Sequence, residues 1–369
     1  MSVPWRGRSV PTSALSRRAL ASLAALLCVA LTGTLGVPVA RADGRDLLEA
    51  AIANTRGAYL VYNFGSGHPA PMLDASGRWY EMNNGGHLMT IKSAAQRLSP
   101  HLLVDSHQGA QARCERDPRA RTGEGLWQAS EIYSPLQAWQ ALGKPTIAIN
   151  ANFFDVRGQK GGSWRSTGCS SPLGVWVDNT RGQGRTNMAV TGTIPYAGKQ
   201  GLSGGGEHWS TLATMILPAG GAPYVVWPKG GRDGGDYDAA GPLVTDLVNK
   251  GARFVAVSGL GLLAPGQTGQ LNDGGPSAAR TALAYSRAKD EMYVFQGGSY
   301  TPDNIQDLFR ALGSDHAVLL DGGGSSAIVL RRDTGGMWAG AGVPKGSCDT
   351  REVLCDSKER ALPSWLAFN

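Results

Sequence analysis

Several familiar active-site patterns are missing from this sequence, and each absence closes a route. There is no H-E-x-x-H, so a helical zinc-hydrolase site is excluded, and no glycine-rich run carries a P-loop lysine. Ser325 and Ser326 sit in no G-x-S-x-G elbow, which removes the usual ground for reading either as a hydrolase nucleophile. The six histidines are scattered; His101 and His107 lie near Asp105, but structural histidines are commoner than ligands, and no metal or cofactor is expected. Gly259–Ala264 matches G-x-G-x-x-A after a strand-like run. A dinucleotide site needs a helix to open there, and Pro265, Gly266 and Gly269 forbid one.

Net charge is also small once the first residues are set aside. Five of the 35 basic residues (Arg6, Arg8, Arg17, Arg18, Arg41) and none of the 29 acidic ones fall within residues 1–42. That stretch continues with an apolar run at Ala19–Leu35 and an A-x-A site at Ala40-Arg41-Ala42, which read together as a cleaved export signal. Ser16-Arg17-Arg18-Ala19-Leu20 resembles a twin-arginine signal, so export through either the Sec or the twin-arginine route is expected. The remaining chain is close to neutral, which gives no ground for nucleic-acid binding, and no integral membrane span is expected after cleavage. Cysteine is sparse: Cys28 leaves with the signal, and Cys114, Cys169, Cys348 and Cys355 remain. An even count in an exported chain suggests two disulfides. Three connectivities are open; the close pair Cys348–Cys355, leaving Cys114 with Cys169, is the simplest.

What is abundant is glycine, 52 residues without a repeat period. Many short strands and turns fit that composition. The expected fold class is α+β: a single β-rich, mixed-sheet domain over residues 87–369 with a few packed helices. Residues 43–86 are expected as a short N-terminal appendage and 1–42 as the signal. Two helix starts are explicit. Ser134 can cap, Pro135 suits the first helical position, and Gln137 completes a capping box, while Thr301-Pro302 opens a second helix with Ile305, Leu308, Phe309 and Leu312 on one face. Strands are expected at Thr146–Ile149, Leu173–Val177, Met188–Thr191, Arg280–Tyr285, Met292–Phe295 and Trp365–Phe368, and a hairpin at Thr211–Trp227. The run from Met292 through the Thr301 helix to Ala317 reads as a crossover unit.

The chain turns on one stretch, Ala317–Leu330, reading AVLLDGGGSSAIVL. Two apolar runs flank Asp321, Gly322, Gly323, Gly324 and Ser325. An ionised Asp at the end of a buried strand needs a partner or a task, and three glycines let a ligand approach the main chain. Asn150, Asn152 and Asp155 gather at a second strand end and Arg280 at a third. Asn and Asp offer donors and acceptors to sugar hydroxyls, and Arg offers a planar fork to phosphate.

LLDGGGSS at Leu319–Ser326 resembles the signature of the phosphodiester glycosidase family. Further blocks resemble that family in order: Ile149–Phe154 (INANFF, with Ala151 where a glycine is usual), Pro172-Leu173-Gly174, Gly241–Val244 and Arg280-Thr281-Ala282. Glu359-Arg360 matches in position. The resemblance implies hydrolysis of the bond between a sugar C1 and its phosphate oxygen. It implies Asp321, Asp155 and Arg280 as catalytic residues. Asn150, Asn152, Thr281, Gly322, Gly323, Gly324, Ser325 and Arg360 are implied as substrate-binding, with Ser325 binding rather than attacking. The implied partner is a carbohydrate or sugar phosphate, such as a cell-wall glycopolymer. Two other readings stay open: an O-glycosidase acting on wall polysaccharide, and a non-catalytic wall-binding protein using Trp164, Trp176 and Trp209 as platforms.

Overall fold

The computed structural model describes residues 44–55, 58–65, 68–103, 113–121, 130–156, 158–181, 212–227, 240–267, 276–332, 338–340, 345–358 and 360–369. The expected signal, the strand at Met188–Thr191, and Asp105, His107, Trp209 and Glu359 lie outside these residues.

The chain opens with α1 (Gly44–Asn54), β1 (Tyr59–Phe64), β2 (Ala70–Leu73), β3 (Trp79–Met82), β4 (Gly86–Lys92), α2 (Ala94–Arg97) and β5 (Pro100–Leu102). Next come α3 (Arg113–Arg116), β6 (Ser130–Glu131), α4 (Pro135–Ala141), β7 (Ile147–Asn150), α5 (Trp164–Thr167), β8 (Cys169–Ser170) and β9 (Trp176–Asp178). The middle holds β10 (Ala213–Pro218), β11 (Tyr224–Val226), α6 (Gly241–Asn249), β12 (Phe254–Leu263), β13 (Ala278–Ser286) and β14 (Glu291–Tyr300). The last part holds α7 (Pro302–Ala311), β15 (His316–Leu319), β16 (Ala327–Arg331), β17 (Trp338–Gly340), β18 (Val353–Ser357) and β19 (Trp365–Phe368).

Ten strands form one sheet in the order β11-β10-β12-β15-β13-β14-β4-β1-β17, with β9 paired to β12 at the side. Five form a second, ordered β18-β16-β7-β19-β5. The large sheet is mixed, because β1 and β17 run parallel while β1 and β4 run antiparallel. The α+β class expected from the sequence is the one observed. Residues 43–86, set apart in the sequence, share one compact unit with the rest. Their strand β1 pairs with β4 over six residues, and Leu48 of α1 is buried with Tyr62, Ala70 and Met72.

Alternation of side chains builds the layers. Val318 and Leu320, with Met292 and Val294, pack against Ile147, Ile149, Ile328, Leu330, Leu366 and Phe368 of the second sheet. The residues between them, Tyr293, Phe295, Ala317 and Leu319, face the other way and meet Ile305, Leu308, Phe309 and Leu312 of α7. Each of these large side chains contributes roughly 1.5–3 kcal/mol by leaving water. Helix α7 starts where expected: Thr301 Oγ1 accepts from the Asn304 N–H at 3.2 Å, and Asn304 Oδ1 accepts from the Thr301 N–H at 3.1 Å. Strands β14 and β15 are both antiparallel to β13 and flank it, so β14-α7-β15 is a crossover with β13 lying between its strands.

The block Gly241–Val244 opens helix α6, with Pro242 in its first turn. All of the G-x-G-x-x-A pattern but its final Ala264 lies within β12. A Cβ on Gly259 would stand 2.2 Å from the Leu319 carbonyl oxygen, so that glycine serves the close approach of β15 and not a nucleotide. Both disulfides, Cys114–Cys169 and Cys348–Cys355, are formed. No helix among the described residues is long and apolar enough to cross a membrane.

Candidate active site

The two apolar runs around the glycines belong to different sheets: β15 lies between β12 and β13, while β16 lies between β18 and β7. The segment 320–326 therefore passes from one sheet to the other, and Asp321 stands at the crossing. Gly322 is needed there because a Cβ would sit 2.7 Å from the Ala279 carbonyl oxygen, and 3.5 Å from Cδ of Arg280. The close approach sets Arg280 beside the glycine turn.

Asn150 holds the crossing together. Its Nδ2 donates to the Asp321 carbonyl oxygen at 2.6 Å, and its Oδ1 accepts from the Ala327 N–H at 2.9 Å and the Thr281 hydroxyl at 2.7 Å. The Asp321 N–H donates to the Ala151 carbonyl oxygen at 3.0 Å. Thr281 Oγ1 also lies 3.0 Å from Ser326 Oγ, which reaches the Arg280 carbonyl oxygen at 3.1 Å. Asn152 spends both amide hydrogens on the carbonyl oxygens of Leu173, at 2.9 Å, and Val175, at 2.8 Å. Asn150, Asn152 and Thr281 are all buried. These polar groups are engaged inside the protein, where they fix strand ends.

The carboxylate itself is different. Asp321 Oδ1 accepts from the Gly322 N–H at 2.9 Å, but Oδ2 has no exposed surface and no hydrogen-bond partner. Burial pushes its pKa up to about 6. The Ser325 hydroxyl, the Gly322 N–H and the charges of Arg360 and Arg280 pull it the other way and lose. Arg280 is buried, donates from Nε to the Tyr300 carbonyl oxygen at 3.1 Å and from Nη2 to that of Pro276, and has its pKa lowered by burial. Arg360 donates from Nη1 to Ser325 Oγ at 3.1 Å, while its Nε is buried without a partner. Its guanidinium lies 5.3 Å from the Phe154 ring centroid and 4.8 Å from that of Trp164. Phe154 and Trp164 meet edge to face, 5.0 Å apart. Among the described residues, neither arginine forms an ion pair with Asp321 at contact distance. A carboxylate and two guanidiniums thus stand close enough for the Asp321 charge to act on both arginines.

The structure brings Asp321, Arg280, Ser325 and Arg360 together with Gly322–Gly324. Asp155 is anchored on another element: its N–H donates to the Ser171 carbonyl oxygen at 2.8 Å, and its own carbonyl oxygen accepts from the Ser170 hydroxyl at 2.6 Å. The charges acting on Asp321 are those of Arg360 and Arg280. The Gly322 N–H is taken by Asp321 and the Ser325 N–H by the Gly322 carbonyl oxygen.

Outside the glycine turn lies a cleft of about 510 Å³, lined by Ile132, Trp164, Arg165, Gly324, Lys358 and Arg360. Sequence reasoning missed the cations Arg165 and Lys358, and it read Trp164 as a sugar platform. Trp164 is buried under Arg360 instead, and Trp176 is fully buried. The proximity of Lys358 to Arg360 was the one available signal.

The phosphodiester glycosidase family model matches residues 143–368, which hold all four groups drawn together at Asp321. Among solved structures, the catalytic domain of zebrafish N-acetylglucosamine-1-phosphodiester alpha-N-acetylglucosaminidase is similar at 16% identity, with a TM-score of 0.46, covering 86% of this chain and 85% of that one. A hypothetical protein from Synechocystis is similar at 13% identity, with a TM-score of 0.39, covering 81% of this chain and 61% of that one. No curated protein sequence matches. The family match spans more than half of the chain, and the chain belongs to the phosphodiester glycosidase family.

Proposed function

We propose that this protein is an exported hydrolase that cleaves the C1–O bond of a sugar-1-phosphodiester, in a wall or other extracellular glycopolymer. The observation that carries the reading is Asp321, whose buried Oδ2 has no partner and which stands near two arginines that do not pair with it. A phosphate leaving group departs without a strong general acid, so one carboxylate and positive charge suffice. Ionised Asp321 stabilises the positive charge developing at the anomeric carbon and takes a proton from the attacking water. Arg280 and Arg360 stabilise the phosphate as the C1–O electron pair moves onto its oxygen. The two disulfides support export, with residues 1–42 as the removed signal.

The purified protein, given a sugar-1-phosphodiester and an aryl glycoside in heavy-oxygen water, is expected to release sugar from the phosphodiester alone, with the label in the sugar hydroxyl. Label in the phosphate would move the cut to the P–O bond and overturn the reading. Sugar from the aryl glycoside alone would make the protein an O-glycosidase, and no release from either would favour a binding protein.

The pH profile follows from the same carboxylate. Protonated Asp321 cannot act, so kcat/KM is expected to climb with pH up to about 6 and then level off. A rate flat across that range would remove Asp321 from the rate-determining chemistry.

A further inference from the structure

The cleft beyond Asp321 holds more positive charge than one phosphodiester needs. Its volume of about 510 Å³ falls within the range that encloses a whole small ligand, roughly 300–1,000 Å³. Arg165 is exposed, and its guanidinium lies 5.0 Å from the ring centroid of Trp164, the ring that also carries Arg360. Lys358 is exposed on the same wall. The Arg165 charge disfavours that of Arg360, so the two repel. Among the described residues, none of the three cations has an ion-pair partner, and no carboxylate lines the cleft. Arg360 Nε is buried without an acceptor. Three cations line one cleft, two of them over a single indole, with an orphan donor behind them, and together they describe a site that is completed by a ligand bearing several negative charges.

Resting on the reading of Asp321 as the centre of a phosphodiester glycosidase, we infer that Arg165 and Lys358 form a second anion subsite. It takes an anionic group on the leaving-group side, one phosphate beyond the scissile bond. Preferred substrates then carry two phosphates in succession, as a sugar diphosphate ester of a nucleoside or as consecutive phosphodiesters of a polymer. In the step itself, water adds to C1 and the C1–O pair stays on the proximal phosphate. One water proton remains on the sugar hydroxyl, and the other passes through Asp321 to solvent. The charge on the distal phosphate does not change during this step. Its binding is equal in ground and transition states, so the subsite acts on KM and not on kcat.

The test pairs a nucleoside diphosphate sugar with the methyl phosphodiester of the same sugar, assayed with the wild type and with an Arg165→Gln/Lys358→Gln double variant. Both side chains are exposed, so the variant is expected to fold. The KM ratio between the two substrates should change by about tenfold or more, with the rise on the diphosphate sugar. An unchanged ratio overturns the subsite even where both substrates are cleaved. A wild type that cleaves neither overturns the functional reading, and the subsite is then decided by calorimetry. Uridine diphosphate should bind the full protein more tightly than uridine monophosphate, and the double variant should lose that difference. Equal binding of the two by the wild type rejects the subsite. Displacement of uridine diphosphate by a glycerol-phosphate dimer indicates a polymer source, and its failure indicates a nucleotide one.

Discussion

Asp321→Asn is expected to lower kcat/KM by roughly a thousandfold, the scale of a lost general base or charge stabiliser, while making the protein more stable above neutral pH. The amide can keep the Gly322 N–H on its oxygen and place Nδ2 where Oδ2 was buried without a partner. The gain in stability follows from linkage. The folded-state pKa is raised from 3.8 to about 6, so the folded protein favours the protonated acid. Below the unfolded value the acid is protonated in both states and carries no penalty. As pH rises through the folded value the ionised group weighs on the fold, by at most about 3 kcal/mol at 1.36 kcal/mol per unit. Melting curves should therefore coincide in acid and separate by a few degrees above neutrality, with the variant higher. Full activity in a folded variant would remove Asp321 from the chemistry. A variant less stable at every pH would make it a structural acid.

The second large effect concerns Asn150→Ala. Truncation leaves the Asp321 carbonyl oxygen and the Ala327 N–H without partners in a buried place, while the Thr281 hydroxyl can turn towards Ser326. At about 1–3 kcal/mol for each stranded group, the loss should reach roughly 3 kcal/mol in urea denaturation. A sugar contact would show the opposite pattern, with stability kept and KM raised. A loss below about 1 kcal/mol would mean that the crossing is held by other contacts.

These two residues show where the sequence was readable. The strand ends, both capped helices and the place of Asp321 follow from local signals: apolar runs closed by glycine, and Ser or Thr followed three residues later by Gln or Asn. The placement of AVLL and AIVL in separate sheets was not local information, because their partners are β12, β13, β7 and β18. An asparagine at a strand end looks the same whether it waits for a sugar or holds a carbonyl, so residue type alone does not separate the two roles at Asn150 and Asn152. The backbone anchors of Asp155 to Ser170 and Ser171 lie 15 and 16 positions along the chain, and no local signal announces them. The ring pair under Arg360 joins residues far apart in the chain, and no periodicity announces it.

The crossing at 320–326 bears on how the protein becomes active. The bond from Asn150 to Asp321 spans 171 positions and the one from Thr281 to Asn150 spans 131. Contacts so distant in sequence form late, because their loops must close first. During refolding, helices and hairpins can return while the carboxylate still lacks its setting. Recovery of catalysis should lag behind recovery of helical signal, and chains halted partway should be compact and inert.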